Sequence, residues 1–69
     1  MEVGRRIAYY RKKASLTQED LADLMNVSRQ TIYKWEHSLA YPEFRKLEQL
    51  TKILKIAFDE LLKQEEIKQ

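Results

Sequence analysis

The sequence predicts an all-α fold of five short helices in one domain, and three observations carry that reading. Apolar side chains recur every three or four residues, the spacing of one helix face, and no stretch of useful length alternates apolar and polar residues as a strand would. Two helix starts stand close together in the stretch 17–36, TQEDLADLMNVSRQTIYKWE, each opened by a hydroxyl residue that can cap backbone N–H groups. The third observation is length. A chain of 69 residues makes one domain with a small core, here residues 1–62, followed by a charged tail at 63–69. So small a core is marginal alone, and a partner subunit would add to it.

The first helix is predicted over residues 2–14, with Val3, Ile7, Tyr10 and Ala14 on a face that reads as core. Arg11 lies one position round from that face, where a charge would be partly buried. Arg5, Arg6, Lys12 and Lys13 read as a solvated face, of which only some members reach a phosphate backbone. Leu16 is expected to be buried beneath the connection. Thr17 then precedes Glu19 and Asp20, acids placed where a helix dipole favours them, and Leu21, Leu24 and Met25 share one face of the second helix. Asn26 tolerates a left-handed backbone and is placed to turn the chain. Ser28 opens the third helix, with Val27, Ile32 and Trp35 as its buried positions. Arg29, Gln30, Thr31, Tyr33 and Lys34 are left facing outward. That set contains no acid, and it combines side chains that match guanine and adenine edges in a major groove with others that reach phosphate.

Beyond Glu36 the chain leaves the helix through residues 37–41. His37 is the only histidine; with no second ligand type at metal spacing, it reads as a helix C-terminal residue interacting with the dipole. Pro42 sets up a fourth helix, whose apolar stripe is Phe44, Leu47, Leu50 and Leu54 with Ile53 alongside. A fifth helix runs from position 57 or 58 to about 62. Phe58, Leu61 and Leu62 follow at i, i+3, i+4, more apolar surface than so short a helix can turn toward so small a core. Phe58 and Leu62 are therefore candidates for a dimer interface. Ile67, about 100° per residue further on, falls on the side opposite Phe58.

Composition excludes several classes of function. There is no cysteine, hence no disulfide framework and no thiolate metal site. Apolar runs of only a few residues leave no membrane span and no signal-peptide core, so a soluble, cytoplasmic protein is expected. With one His, no Cys and carboxylates scattered over polar faces, no nucleophile meets a base, and neither an enzyme, a cofactor nor a metal is expected. Net charge is only +2, from 13 basic and 11 acidic side chains. Its distribution says more: residues 1–14 carry Arg5, Arg6, Arg11, Lys12 and Lys13 against Glu2 alone.

Gly4, Ile7 and Arg11, then Leu16-Thr17-Gln18-Glu19-Asp20-Leu21-Ala22, then Val27-Ser28-Arg29-Gln30-Thr31-Ile32, Trp35-Glu36, Pro42 and Asp59-Glu60-Leu61-Leu62 carry a resemblance. Together they resemble the helix-turn-helix family of phage repressors and Cro proteins (Cro/C1-type, Xre-like regulators), over nearly the whole chain. The resemblance implies a compact, lambda-repressor-like five-helix domain whose second and third helices form the motif. It also pairs Arg11 with Glu36, tying the first helix to the end of the third. Three positions depart from the family pattern: Ser38 stands where Gly is usual, and Lys55 and Ala57 replace the Gly and the Ser or Thr that commonly end the fourth helix and cap the fifth. At Ser38 a longer or differently bent exit from the third helix is expected, and the end of the fourth helix and the start of the fifth are correspondingly weak in sequence.

Two function classes follow. The first is a sequence-specific regulator of transcription, a repressor, that inserts its third helix into the major groove of double-stranded DNA as a two-fold homodimer on a symmetric operator. Arg29 and Gln30 would read guanine and adenine, with Tyr33 and Lys34 one turn on; Gln18, Ser28 and Thr31 would meet phosphates. The second is a protein-interaction module on the same fold, such as the antitoxin of a toxin–antitoxin pair. A pure interaction surface would show aromatic and aliphatic anchors where this chain shows Arg, Gln and Lys.

Overall fold

A computed structural model of the chain describes residues 3–63. Its helices are α1 (Val3–Lys13), α2 (Gln18–Met25), α3 (Arg29–Glu36), α4 (Phe44–Leu54) and α5 (Phe58–Leu62), with no strand among the described residues. The all-α, five-helix expectation holds. Residues 1 and 2, and with them the predicted start of the first helix, lie outside the described residues, as does the tail from position 64, including Ile67.

One apolar cluster organises the domain: Ile7 from α1, Leu21, Ala22 and Met25 from α2, Ile32 and Trp35 from α3, Leu47, Leu50 and Leu54 from α4, and Leu61 from α5. Val3, Tyr10, Leu16, Val27, Ile53, Ile56, Phe58 and Leu62 pack around it, partly buried. Burying side chains of this size contributes about 1.5–3 kcal/mol each before conformational entropy is counted against it. Three stripe residues expected inside are not there. Leu24 is 53% exposed and Phe44 61% exposed, and Ala14 is exposed as well. In α2 the buried arc is centred between Met25 and Ala22, and Leu24 sits about 110° from that centre. Phe44 lies about 90° from the inward direction of Leu47, Leu50 and Leu54, in the first turn of α4. Ala14 falls past the end of α1, where the chain turns through Ser15 at φ 62°.

The exits of the first four helices follow one pattern, while Lys63 leaves α5 in an extended conformation. Ser15, Asn26, Ser38 and Lys55 all take the left-handed conformation, with φ between 59° and 62°, and none is a glycine. Asn26 was expected there. Lys55 ends α4 in that conformation and Ala57 N-caps α5 without a side-chain bond, so both boundaries that look weak in sequence are kept; Ser38 turns the chain just past α3, although it does not favour a left-handed backbone. Pro42 is buried but precedes the N-cap Glu43, so it shapes the approach to α4 and does not sit in its first turn.

The single glycine serves another purpose. A Cβ on Gly4 would run into the carbonyl oxygen of Trp35 and come within 2.9 Å of that of Glu36, so Gly4 is what lets α1 cross close over the end of α3. At the far end, Arg6 belongs to no solvated face. It donates from Nε to the Lys63 carbonyl at 2.9 Å and from a terminal nitrogen to the Glu60 carbonyl at 3.2 Å, capping the end of α5. Tyr10 donates its hydroxyl to Glu60 at 2.9 Å; that bond, and desolvation after it, hold the phenol above its ordinary pKa.

Candidate nucleic-acid interface

Local hydrogen bonds set the two helices of the 17–36 stretch. Thr17 Oγ1 accepts from the Asp20 N–H at 2.9 Å while Asp20 Oδ2 accepts from the Thr17 N–H at 2.9 Å, a reciprocal capping box. The backbone N–H of Thr17 donating to Asp20 draws that carboxyl below its ordinary pKa, because the bond favours the charged form. Asn26 closes α2 at φ 59°, its N–H turned back to the carbonyls of Ala22 and Asp23. Ser28 then caps α3 by accepting from the Thr31 N–H at 3.1 Å, and the two hydroxyls share a 2.9 Å bond. With both starts and the turn specified by side chains, the crossing of α2 and α3 is held from three points.

Burial then sorts α3 into two faces. Ile32, Trp35 and Glu36 turn inward at 0%, 6% and 7% exposure. Arg29, Gln30, Tyr33 and Lys34 are all exposed and lie within an arc of about 140°. Thr31 is half-buried at the border of that arc, its hydroxyl held by Ser28. His37, the C-cap of α3, continues the exposed face: its ring lies 4.1 Å from that of Tyr33, tilted by 34°. Sequence reasoning assigned His37 to the helix dipole alone and missed this. The i, i+4 spacing from Tyr33 was the available signal.

Glu36, the one acid of α3, is withdrawn from that face by a buried network. Arg11 donates from Nε to Glu36 Oε2 at 2.6 Å and from a second nitrogen to Oε1 at 3.1 Å, and its third nitrogen donates to the Leu16 carbonyl at 2.7 Å. Arg11 and Glu36 are 8% and 7% exposed, and among the described residues no buried side-chain polar atom lacks a partner. A two-pronged pair in which the third guanidinium nitrogen is also bonded meets the condition under which burying two charges is tolerable. Gln18 joins it, donating its amide to Glu36 Oε1 at 3.0 Å. That bond takes one of two amide hydrogens and fixes the side chain at the start of α2 with the second still available.

Along α1, Arg5, Ala8, Tyr9 and Lys12 follow at helical spacing and form one wall of an open groove. Gln18, Glu36 and His37 form the other wall, with Arg11 between. Of the two residues expected at a dimer surface, Phe58 is half-buried with its ring 5.4 Å from that of Phe44, and Leu62 is half-buried against the core. Leu61 between them is fully buried. Among the described residues no three His, Asp or Glu side chains gather as a metal site, and no helix is long and apolar enough to cross a membrane.

A capped helix, a left-handed turn and a second capped helix with a polar, acid-free outer face define a helix-turn-helix domain. A helix-turn-helix family model matches residues 7–61, and the chain belongs to that family. It is 39% identical over 67 residues to the HTH-type transcriptional activator BcrR of Enterococcus faecalis, covering 97% of this chain. It is 49% identical over 37 residues, 54% of this chain, to an HTH-type transcriptional regulatory protein of Methanothermobacter thermautotrophicus. The chain spans 33% of the length of the first of these relatives and 12% of the second. Among solved structures it is similar to the P22 c2 repressor in complex with a synthetic operator, at 36% identity and a TM-score of 0.84 over 91% of this chain and 96% of that one. The solution structure of the P22 c2 DNA-binding domain gives 36% and 0.86 over 91% and 83%. SinR, a master regulator of biofilm formation solved in complex with DNA, gives 28% and 0.80 over 87% and 97%.

Proposed function

We propose that this domain binds double-stranded DNA by placing α3 in the major groove, reads sequence there, and represses transcription from the promoter it covers. The observation that carries this is the outer face of α3: Arg29, Gln30, Tyr33 and Lys34 are exposed together, and the only acid of the helix is turned inward onto Arg11. Arg29 matches guanine O6/N7 and Gln30 matches adenine N6/N7, each able to discriminate by about 1–3 kcal/mol. Tyr33 and Lys34 reach bases or backbone one turn on. Gln18, through its second amide hydrogen, and the hydroxyls of Ser28 and Thr31 meet phosphates at the helix starts. This is binding without catalysis, carried out where the DNA is, in the cytoplasm.

The domain would act as a homodimer on a two-fold operator with half-sites about 34 Å apart, because one recognition helix contacts only a few base pairs. The paired rings of Phe44 and Phe58, with Leu62, are the apolar surface offered to a second copy. Sedimentation without DNA checks this: Phe44→Glu, at a 61% exposed position, and Leu62→Glu should stay monomeric at concentrations where the parent dimerises. A parent that is monomeric throughout the micromolar range removes the pre-formed dimer and leaves the DNA reading in place.

Selection from a genomic fragment library tests the reading itself. Arg29→Ala and Gln30→Ala should each lose about 1–3 kcal/mol on the retained site and relax the base choice at one position. Gln18→Ala should weaken all sequences alike. Equal losses on selected and random DNA for Arg29→Ala would sink the assignment.

A further inference from the structure

Five basic residues crowd the first helix, and the structure divides them. Arg6 caps the end of α5, Arg11 is locked on Glu36, and the ammonium of Lys13 leans over the Tyr9 ring at 5.6 Å. Arg5 and Lys12 remain, and among the described residues neither side chain has an ion pair or hydrogen bond. Both are exposed. They share the stripe Arg5, Ala8, Tyr9, Lys12, which forms one wall of the groove whose other wall is Gln18, Glu36 and His37. Two members of that second wall also belong to the DNA-facing surface: the His37 ring rests on Tyr33 of the reading face, and Gln18 stands at the start of α2. The groove therefore borders the reading face directly.

Its charge is what a polyanion requires. Among the described residues Glu36 is the only acid lining it, and it is already neutralised by the two-pronged bond from Arg11, so no described acid of the groove offsets Arg5 and Lys12. Two turns of helix separate those two cations by about 10 Å, enough to meet different phosphates. Tyr9 lies between them, 52% exposed. Its ring is set edge-on against Tyr10 at 4.9 Å, and its hydroxyl offers a further donor.

We propose that Arg5 and Lys12, with Tyr9 between them, form a second seat for the DNA phosphate backbone, on the His37 side of α3. It extends the contact from the helix-turn-helix unit onto α1. The inference rests on the DNA-binding reading and adds to it a contact that raises affinity without reading sequence.

Salt dependence separates the two. Binding of the selected site and of random duplex is followed by fluorescence anisotropy from 50 to 200 mM salt, for the parent, Arg5→Gln, Lys12→Gln, the double variant and Lys52→Gln, an exposed cation on α4 away from the groove. Each groove substitution should lower the slope of log K against log salt by about 0.9, so that the parent loses about 3.5-fold more affinity than each single variant across that range. The double variant should lower the slope by about 1.8, equally on both DNAs, with base preference unchanged. A double variant with the parental slope, or a Lys52→Gln effect as large as that of Lys12→Gln, overturns the second seat while a retained preference for the selected site keeps the DNA reading. A parent that binds no duplex removes both.

Discussion

The front of the molecule, α2 to α3, and the back, α4 to α5, solve the same problem of starting and ending short helices by different means. In front, Thr17, Asn26 and Ser28 each place a suitable residue at a helix terminus, and two of the three add side-chain hydrogen bonds. In the back, Glu43 and Ala57 make no side-chain cap bond, and Lys55 takes nearly the same left-handed angle as Asn26, 60° against 59°. What holds the back is burial, with Leu47, Leu50, Leu54 and Leu61 all in the core, together with the bonds that Arg6 and Tyr10 bring to Lys63 and Glu60 from α1. Hydrogen bonds are directional and apolar contacts are not. The difference teaches that local caps are concentrated around the helix-turn-helix, while the supporting half is held by packing and by the bonds that Arg6 and Tyr10 bring to α5 from α1.

The largest effect should come from breaking the network that joins α1 to the front half. Glu36→Ala strands the Arg11 guanidinium in a site 8% exposed and should destabilise the fold by about 3–5 kcal/mol, several times the value of a surface pair. Arg11→Met with Glu36→Leu, two apolar replacements, should recover much of that loss in a thermal double-mutant cycle. Independent, small effects would show that the pair only decorates the surface. Gly4→Ala comes next. Its Cβ has no room between α1 and the carbonyls of Trp35 and Glu36, and forcing the helices apart should cost about 1–3 kcal/mol. A Gly4→Ala melting curve that matches the parent would mean that the crossing is looser than described.

These two sites also mark what was legible in the sequence. Thr17, Asn26 and Ser28 announce themselves, because a cap is a property of three or four consecutive residues. Arg11 could be matched to Glu36 only through the family resemblance, since nothing local links positions 25 apart in the chain. Gln18 meeting the same carboxylate, and Arg6 reaching the end of α5 across more than 50 residues, depend on how helices cross, which periodicity does not specify. Periodicity says which residues share a face and not where the centre of that face meets the core; Leu24 and Phe44 were misplaced for that reason. His37 was read by its position at a helix end when its geometry relative to Tyr33 was what mattered.

Moving the devices of one half into the other sharpens the contrast. Thr17→Ala removes a working cap and should cost about 1 kcal/mol, whereas Ala57→Ser supplies a missing one and should add stability of about 0.5–1 kcal/mol. Lys55→Gly relieves a left-handed lysine and should gain about 0.5–1 kcal/mol, a rise in Tm of about 3–6 °C, while Asn26→Gly should change little. If Ala57→Ser and Lys55→Gly left Tm unchanged, the back half would already be satisfied, and the two halves would differ in sequence only.

The smallest effect is a pH dependence confined to the front half. Asp20 accepts the Thr17 N–H as a carboxylate, and this bond holds its folded pKa below the ordinary value. A carboxyl whose pKa is depressed by folding adds stability that is fully present above its unfolded pKa and is lost as pH falls through the folded value. The window therefore opens below about pH 4. Other acids titrate there too, so the comparison must be differential. Denaturation midpoints for the parent and for Asp20→Asn, which keeps an acceptor oxygen but no charge, should converge as pH falls from 6 to 2.5, with the parent the more stable at the upper end. Curves that run parallel across the whole range would mean that the reciprocal cap holds α2 through the Thr17 hydroxyl alone, and the front half would then owe its geometry to neutral hydrogen bonds.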